Sequence, residues 1–395
     1  MSYHQENLNI NIFLFGLNPN HCGILHNLYD SFFTLHLFSK SKFLTHSKLN
    51  IQYHQIVQEN EKNFLIELQK ITKNVPDPKI MIPATDAEIL FLDKHRQKLK
   101  NFILCLSSSE VIKVVSNKYL IQNALNNHGL NYPRSVLIED KATLQSSVSS
   151  LRFPCIIKPV FSNEWKTTQS GKILGQNKAL LVREPCELQS VYEKVFPISQ
   201  KVIAQEIITQ KGLENYSFCS YSDKNGNILH GFVTQKIVQY PDKFGTAVLC
   251  RTVKNPRIAE YGKKVIKALK LEGIAETEII VDAETDDLYV IEVNPRHWMQ
   301  HRLATRLGVN YTLLDIYYRL GMKDMVQKCL SGKKPDKEIV WIDDVGYLFY
   351  AGKRFLNPKK CFFRDLLLKK REFSLFSLRD WRPFWYSLKS KLRPA

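Results

Sequence analysis

Glu278-Ile-Ile-Val281-Asp-Ala-Glu-Thr-Asp-Asp-Leu288-Tyr-Val-Ile-Glu292-Val-Asn294-Pro-Arg296 is the stretch from which the rest of the chain becomes readable. Two apolar runs, Thr277–Val281 and Leu288–Asn294, flank the acidic turn Asp282–Asp287 and are read as paired strands. Side chains alternate faces along a strand, so Glu292 and Asn294 project from one face. If the runs pair as a hairpin, Glu278 reaches that face from its neighbour. Two carboxylates and an amide oxygen then converge, a hard oxygen set suited to Mg²⁺, which takes few protein ligands and fills its shell with phosphate oxygens and water. Arg296, just beyond, is placed to meet an anion. The plainer alternative is a strand with a solvated polar edge.

Upstream, Ile258–Leu269 reads as an amphipathic helix, with Ile258, Tyr261, Val265 and Leu269 on one face and Gly273 expected to cap it. Residues 216–236 read as two strands around an Asn225-Gly226 turn. Phe153-Pro-Cys-Ile-Ile-Lys158-Pro159 and Gln200–Ile208 are further strands, and Asn117–Leu125 is a helix stopped by Gly129. Before these, Ile10–Leu17, Lys79–Ile82 and Phe102–Leu106 are short apolar strands that alternate with helices at Ile24–Phe33 and after the capping sequence Thr85-Asp-Ala-Glu88. This pattern predicts a parallel α/β layer. Asp86, at the end of one of these strands, is read as a helix cap or as a group reaching a substrate amine.

The ordered set resembles the ATP-grasp superfamily, the fold of biotin carboxylase, carbamoyl-phosphate synthase and D-alanine:D-alanine ligase. The resemblance implies a mixed α/β protein: an N-terminal parallel α/β domain over residues 1–115, a two-lobed ATP-grasp domain over 116–325 (lobes about 118–205 and 206–325), and a basic extension over 326–395. It implies ATP and Mg²⁺ (or Mn²⁺) as cofactors. Lys118 and Lys158 resemble the lysines that contact nucleotide phosphates. Glu206, Ile207 and Ile208 resemble the hinge that binds adenine, and Glu214 the acid on the ribose. Glu278, Glu292 and Asn294 resemble the metal set.

Ile82-Pro-Ala-Thr-Asp86, Gln235-Lys236 through Pro241, and Asn294-Pro-Arg-His-Trp298 are similar to D-aspartate ligase-like and other carboxylate–amine ligases. In such enzymes a carboxylate is phosphorylated to an acylphosphate, which an amine then attacks. The implied catalytic residues are Arg296, Lys236 and Arg251, the last two read against plain surface pairing. Small-molecule carboxylate and amine substrates are the implied partners. The other reading is a non-catalytic nucleotide-binding protein docked to a membrane or partner through its tail. The family's Gly-rich phosphate loop is here Phe161–Lys172, with Gly171 its one glycine. His297, Trp298, Gln300 and His301 are read as helix-start packing or as pocket lining. Zinc is not supported, because no cysteine partner or typical histidine spacing accompanies them.

The 395 residues carry 56 Lys/Arg and 38 Asp/Glu, a net charge of +18. Residues 352–395 hold 13 Lys/Arg against three Asp/Glu, so +10 of the excess lies in the last 44 residues. The same segment has nine aromatic residues. Three readings stand: aromatics packed on the body with basic groups in water, an interfacial element on anionic lipid, or a single-stranded nucleic-acid surface. The last is the least supported, because no RRM, KH or zinc-finger pattern appears. Eight scattered cysteines without a C-x-x-C pair predict buried thiols in a reducing compartment. With no signal sequence read at the start and no span long enough to cross a bilayer, the expected place is the cytoplasm, with peripheral contact at the inner membrane face through residues 352–395.

Overall fold

Three β-sheets organise the described residues. The computed structural model describes residues 9–16, 18–39, 49, 51–56, 60–165, 168–175, 177–240, 245–332, 338–354 and 370–392. Strands β1 (Asn11–Phe15), β2 (Thr34–Ser39), β3 (Ile51–Gln55), β4 (Lys79–Met81) and β5 (Ile103–Leu104) form a parallel sheet in the order β3-β2-β1-β4-β5. β1 is buried along its whole length because both faces are covered. Ile12 and Leu14 enter one core with the helix Pro19–Asn27. Phe13 and Phe15 enter another with the helices Glu61–Thr72 and Asp86–Lys94. The helix expected at Ile24–Phe33 is therefore displaced. It starts at Pro19, where the Asn18 side chain accepts the amides of Asn20 (2.8 Å) and His21 (3.3 Å). The Thr85–Glu88 cap forms as its spacing predicts.

β6 (Ser135–Ile138), β7 (Cys155–Pro159), β8 (Leu180–Val182) and β9 (Val202–Glu206) make an antiparallel sheet ordered β6-β9-β7-β8. The third sheet contains β10 (Gln210–Ser222), β11 (Ile228–Tyr240), β12 (Thr246–Val253), β13 (Gly273–Asp282), β14 (Leu288–Asn294), β15 (Ile339–Ile342) and β16 (Lys370–Phe373), in the order β14-β13-β10-β11-β12-β15-β16. The β10–β11 turn contains Gly226 at φ +72°, as Asn225-Gly226 predicts.

The helix Pro256–Leu269 covers one face of this sheet, burying Ile258, Val265 and Ile266 against Phe218, Val233, Ile279 and Val290. Gly262 permits the approach, because a Cβ there would stand 2.4 Å from the Phe218 side chain. Gly273 does not cap this helix. Lys270 takes the left-handed conformation (φ 49°), and Gly273 (φ 91°) instead opens β13.

The C-terminal region is built into the body. β15 is buried throughout, and β16 pairs parallel to it. Glu372 of β16, 2 % exposed, accepts from Arg302 at 2.7 Å and also pairs with Arg306. The Lys359-Lys360 cluster and Phe355, Phe362 and Phe363 lie outside the described residues. Five of the seven described cysteines are buried, Cys186 is exposed and Cys329 is intermediate. No described helix is long and apolar enough to cross a membrane.

Candidate active site

The β13–β14 pair sets Glu278 opposite Glu292 and Glu276 opposite Asn294. Strand parity puts all four on the face away from the Pro256–Leu269 helix. Sequence reading missed Glu276, although its place two residues before Glu278 was the signal. Asn294 Nδ2 donates to Glu276 Oε2 at 3.3 Å, and Arg296 donates to Asn294 Oδ1 at 3.0 Å, so the amide is held from both sides. Burial, and next the Glu278 charge, push the Glu276 carboxyl well above the ordinary range, to about 8.

Cations surround these acids. Lys236 Nζ lies 3.2 Å from Glu278 Oε2, and although burial opposes its charge, that carboxylate raises its pKa. Burial also works against ionised Glu292, but Lys118 chiefly, then Lys178 and Lys158, outweigh it and hold the carboxyl below its usual range. Lys118 Nζ donates to Ser162 Oγ at 2.5 Å, and Ser162 donates on to Glu292 Oε1 at 3.3 Å. Ser162, from the glycine-poor loop, thus stands between Lys118 and Glu292.

Lys158 projects from β7 and donates to Gln205 Oε1 on β9 at 2.7 Å. Burial, then repulsion from Lys118, lower its pKa to about 8. Lys178 of the same lobe reaches Thr246 Oγ1 on β12 at 2.6 Å.

Asp86 is the contribution of the first sheet. It opens the helix Asp86–Lys94, and Arg296 Nε binds its Oδ1 at 2.5 Å. Burial disfavours the Arg296 charge, yet Asp86 first, then Glu292 and Glu276, together outweigh it and raise its pKa. A cleft lined by Asp86, Lys118, Ser162, Glu292 and Asn294 joins the N-terminal layer to both later sheets.

The hinge and Arg251 are disposed differently. Glu206 ends β9 and accepts the Arg152 amide at 3.1 Å; Ile207 and Ile208, both half-buried, lead on to β10. Arg251 pairs in register with Gln235, on the face opposite Lys236. It donates to Gln235 Oε1 at 2.9 and 2.7 Å and lies 3.6 Å from Glu338. Gln235 donates to the Tyr216 hydroxyl (3.4 Å), which donates to Glu214 (3.3 Å). Arg251 and Glu214 therefore share a network on the helix-covered side and are not brought to the acidic set.

His297, Trp298 and His301 are packed inside, His297 against Thr312 Oγ1 at 3.0 Å and Trp298 beside Tyr311. Among the described residues no three His, Cys, Asp or Glu side chains converge on a metal position. The fitting set is two carboxylates with the Asn294 amide, and its neighbouring lysines suit a polyanion bridged to the ion.

Residues 115–298 match the family model described as the ATP-grasp domain. The N-terminal section of the carbamoyl phosphate synthase large chain of Aquifex aeolicus is 24% identical over 226 residues, covering 52% of this chain and 39% of that protein. The chain thus spans less than half the length of this curated relative. N5-carboxyaminoimidazole synthetase from Staphylococcus aureus complexed with ADP superposes with TM-score 0.61 at 12% identity, covering 89% of this chain and 87% of that one. L-amino acid ligase from Bacillus licheniformis gives 0.60 at 16%, covering 84% and 78%. The paired acidic strands and the lysine-bearing second sheet thus lie within the stretch, residues 115–298, that matches the ATP-grasp domain, and the parallel α/β layer precedes it.

Proposed function

We propose that this chain is an ATP-dependent carboxylate–amine ligase. One observation carries the reading. Glu278 and Glu292 oppose each other on one polar face of β13–β14, with Asn294 beside them and Lys118, Lys158 and Lys236 around them. The three oxygen-bearing side chains would hold Mg²⁺ or Mn²⁺, which supplies neutralisation of phosphate charge when bound. Lys118 and Lys158 bind the phosphates, the latter aimed by Gln205. Glu206 and the backbone of Ile207 and Ile208 receive adenine.

A substrate carboxylate oxygen attacks the γ-phosphorus, and ADP leaves. Arg296, oriented by Asp86 and Asn294, stabilises the negative charge on the acylphosphate, with Lys236 as the second cation. The amine nitrogen then bonds to the acyl carbon, phosphate departs, and the amine proton is lost to solvent. Arg251 and Glu214, held on the other face, have no part in these steps. L-amino acid ligase and carbamoyl phosphate synthase, among the similar proteins, support this reaction class. Cytoplasmic residence with peripheral contact between residues 352–395 and an anionic membrane belongs to the same proposal.

The test is ADP release by purified protein with ATP, Mg²⁺ and a panel of carboxylates and amines. For any active pair, ¹⁸O in the carboxylate is expected in the released phosphate. ATP binding without turnover on any pair, together with no effect of Glu292→Ala in cells, would establish the non-catalytic alternative.

A further inference from the structure

The described part of the C-terminal segment has two sides. Inward, Phe384 packs edge-on to Phe376 (5.8 Å between ring centres) and joins Phe33 against the core of the first sheet. Asp344 accepts the amides of Leu375 (3.2 Å) and Phe376 (2.6 Å), and Arg379 forms a two-pronged pair with Asp30 at 2.8 Å. The closing helix Arg382–Leu392 is thereby fixed to the body. Outward, Trp381, Trp385 and Leu392 are 46%, 47% and 65% exposed. Trp381 immediately precedes that helix, and spacings of four and seven residues set Trp381, Trp385 and Leu392 along one stripe. Leu378 (88% exposed) precedes the stripe, and Phe32 (90% exposed) stands two residues from Asp30, the partner of Arg379. The other three tryptophans, Trp165, Trp298 and Trp341, are buried, so the exposure of this pair is particular to the patch.

We infer that this patch is a docking surface for an anionic lipid bilayer. It deepens the peripheral contact proposed above, rests on that reading, and is independent of the ligase chemistry. Three features select lipid as the occupant. Indole rings beside exposed cationic side chains, here Arg382 and Lys389, are the composition that settles at the headgroup–acyl boundary. The described residues 370–392 carry six Lys/Arg against two Asp/Glu, an excess that complements an anionic surface and repels a second copy of itself. The helix has 11 residues, enough to lie in the interface but too few to cross it.

The experiment is co-sedimentation of the full chain with phosphatidylcholine vesicles and with vesicles containing 30% phosphatidylglycerol, using brominated phosphatidylcholine as a tryptophan quencher. Partitioning is expected to be about tenfold or more stronger on the anionic vesicles and to fall in 0.5 M salt. Trp381→Ala/Trp385→Ala should reduce it by a similar factor and remove the quenching. Arg382→Glu/Lys389→Glu gives an independent check should the first variant fail to fold. Equal binding to both vesicle types, unchanged binding of both folded variants, or a dimer abolished by the tryptophan substitutions would each overturn the assignment. ATP turnover without vesicles is measured on the same samples, so failure of docking and failure of the ligase reading are told apart.

Discussion

The two faces of the β10–β14 sheet come from the same strands and differ by one residue of register. On one, Phe218, Val233, Ile279 and Val290 meet the Pro256–Leu269 helix and form core. On the other, Glu276, Glu278, Glu292, Asn294 and Lys236 form a polar cluster largely withdrawn from water, beside a stretch where Ile274, Tyr221 and Cys219 pack on Trp298, Tyr311 and Leu314. Burying charge is costly unless it is paired and hydrogen-bonded. A sheet built only for stability would put apolar residues on both sides. The polar cluster is held instead by paired charges and hydrogen bonds, Lys236 to Glu278 within the sheet, Ser162 to Glu292 and Arg296 to Asp86 from outside it, the charge pattern on which the proposed cation and polyanion site rests.

Substitutions should separate the faces. The largest effect is expected for Glu292→Gln, which keeps shape and removes charge: turnover should fall on the order of 10²-fold or more while the melting temperature barely moves. A turnover near wild type in a steady-state assay would remove Glu292 from the site. Across the sheet, Ile279→Ala should do the opposite. It should cost about 2–5 kcal/mol in urea denaturation through loss of buried methyl groups, and leave the turnover of folded protein close to wild type.

A third prediction concerns pH. Lys158 has its pKa lowered to about 8, so the free protein loses that charge as pH rises through 8, below the ordinary lysine range. Because nucleotide phosphate favours the charged lysine, ADP binding at pH 8–9 should take up protons and weaken as pH rises, as read by calorimetry in buffers of different ionisation enthalpy. The sign for folding is the reverse. Between about pH 8 and the unfolded lysine value the unfolded chain holds more protons, so this group adds stability as pH rises. The smallest effect is expected for Arg251→Gln. That change loosens the Gln235–Tyr216–Glu214 network and should alter turnover by less than about threefold, since Arg251 lies on the face away from the acids.

What was legible in the sequence follows this division. Glu278, Glu292 and Asn294 could be placed together because strand alternation is local and has period two. The same rule, extended two residues, reaches Glu276. The partner of Arg251 was not legible, because only the β11–β12 register sets it against Gln235, on the face opposite Lys236. Asp86 and Arg296 are 210 residues apart, and only tertiary folding makes them partners. The end of the Pro256–Leu269 helix was expected at a glycine, but Lys270 accepts the left-handed turn and Gly273 serves the next strand. β15 and β16 were unreadable as sheet members, because short runs in a basic, aromatic tail have no periodicity to mark them and their pairing is non-local.

The central claim is that the polar face holds a metal-bridged nucleotide. Titrating ADP into the protein with Mg²⁺ and with the metal chelated, for wild type and for Glu278→Gln/Glu292→Gln, tests it most directly. Mg²⁺ is expected to strengthen ADP binding in the wild type by roughly tenfold or more and not in the variant. Equal ADP affinity with and without Mg²⁺ in the wild type, or equal metal dependence in both proteins, would contradict it.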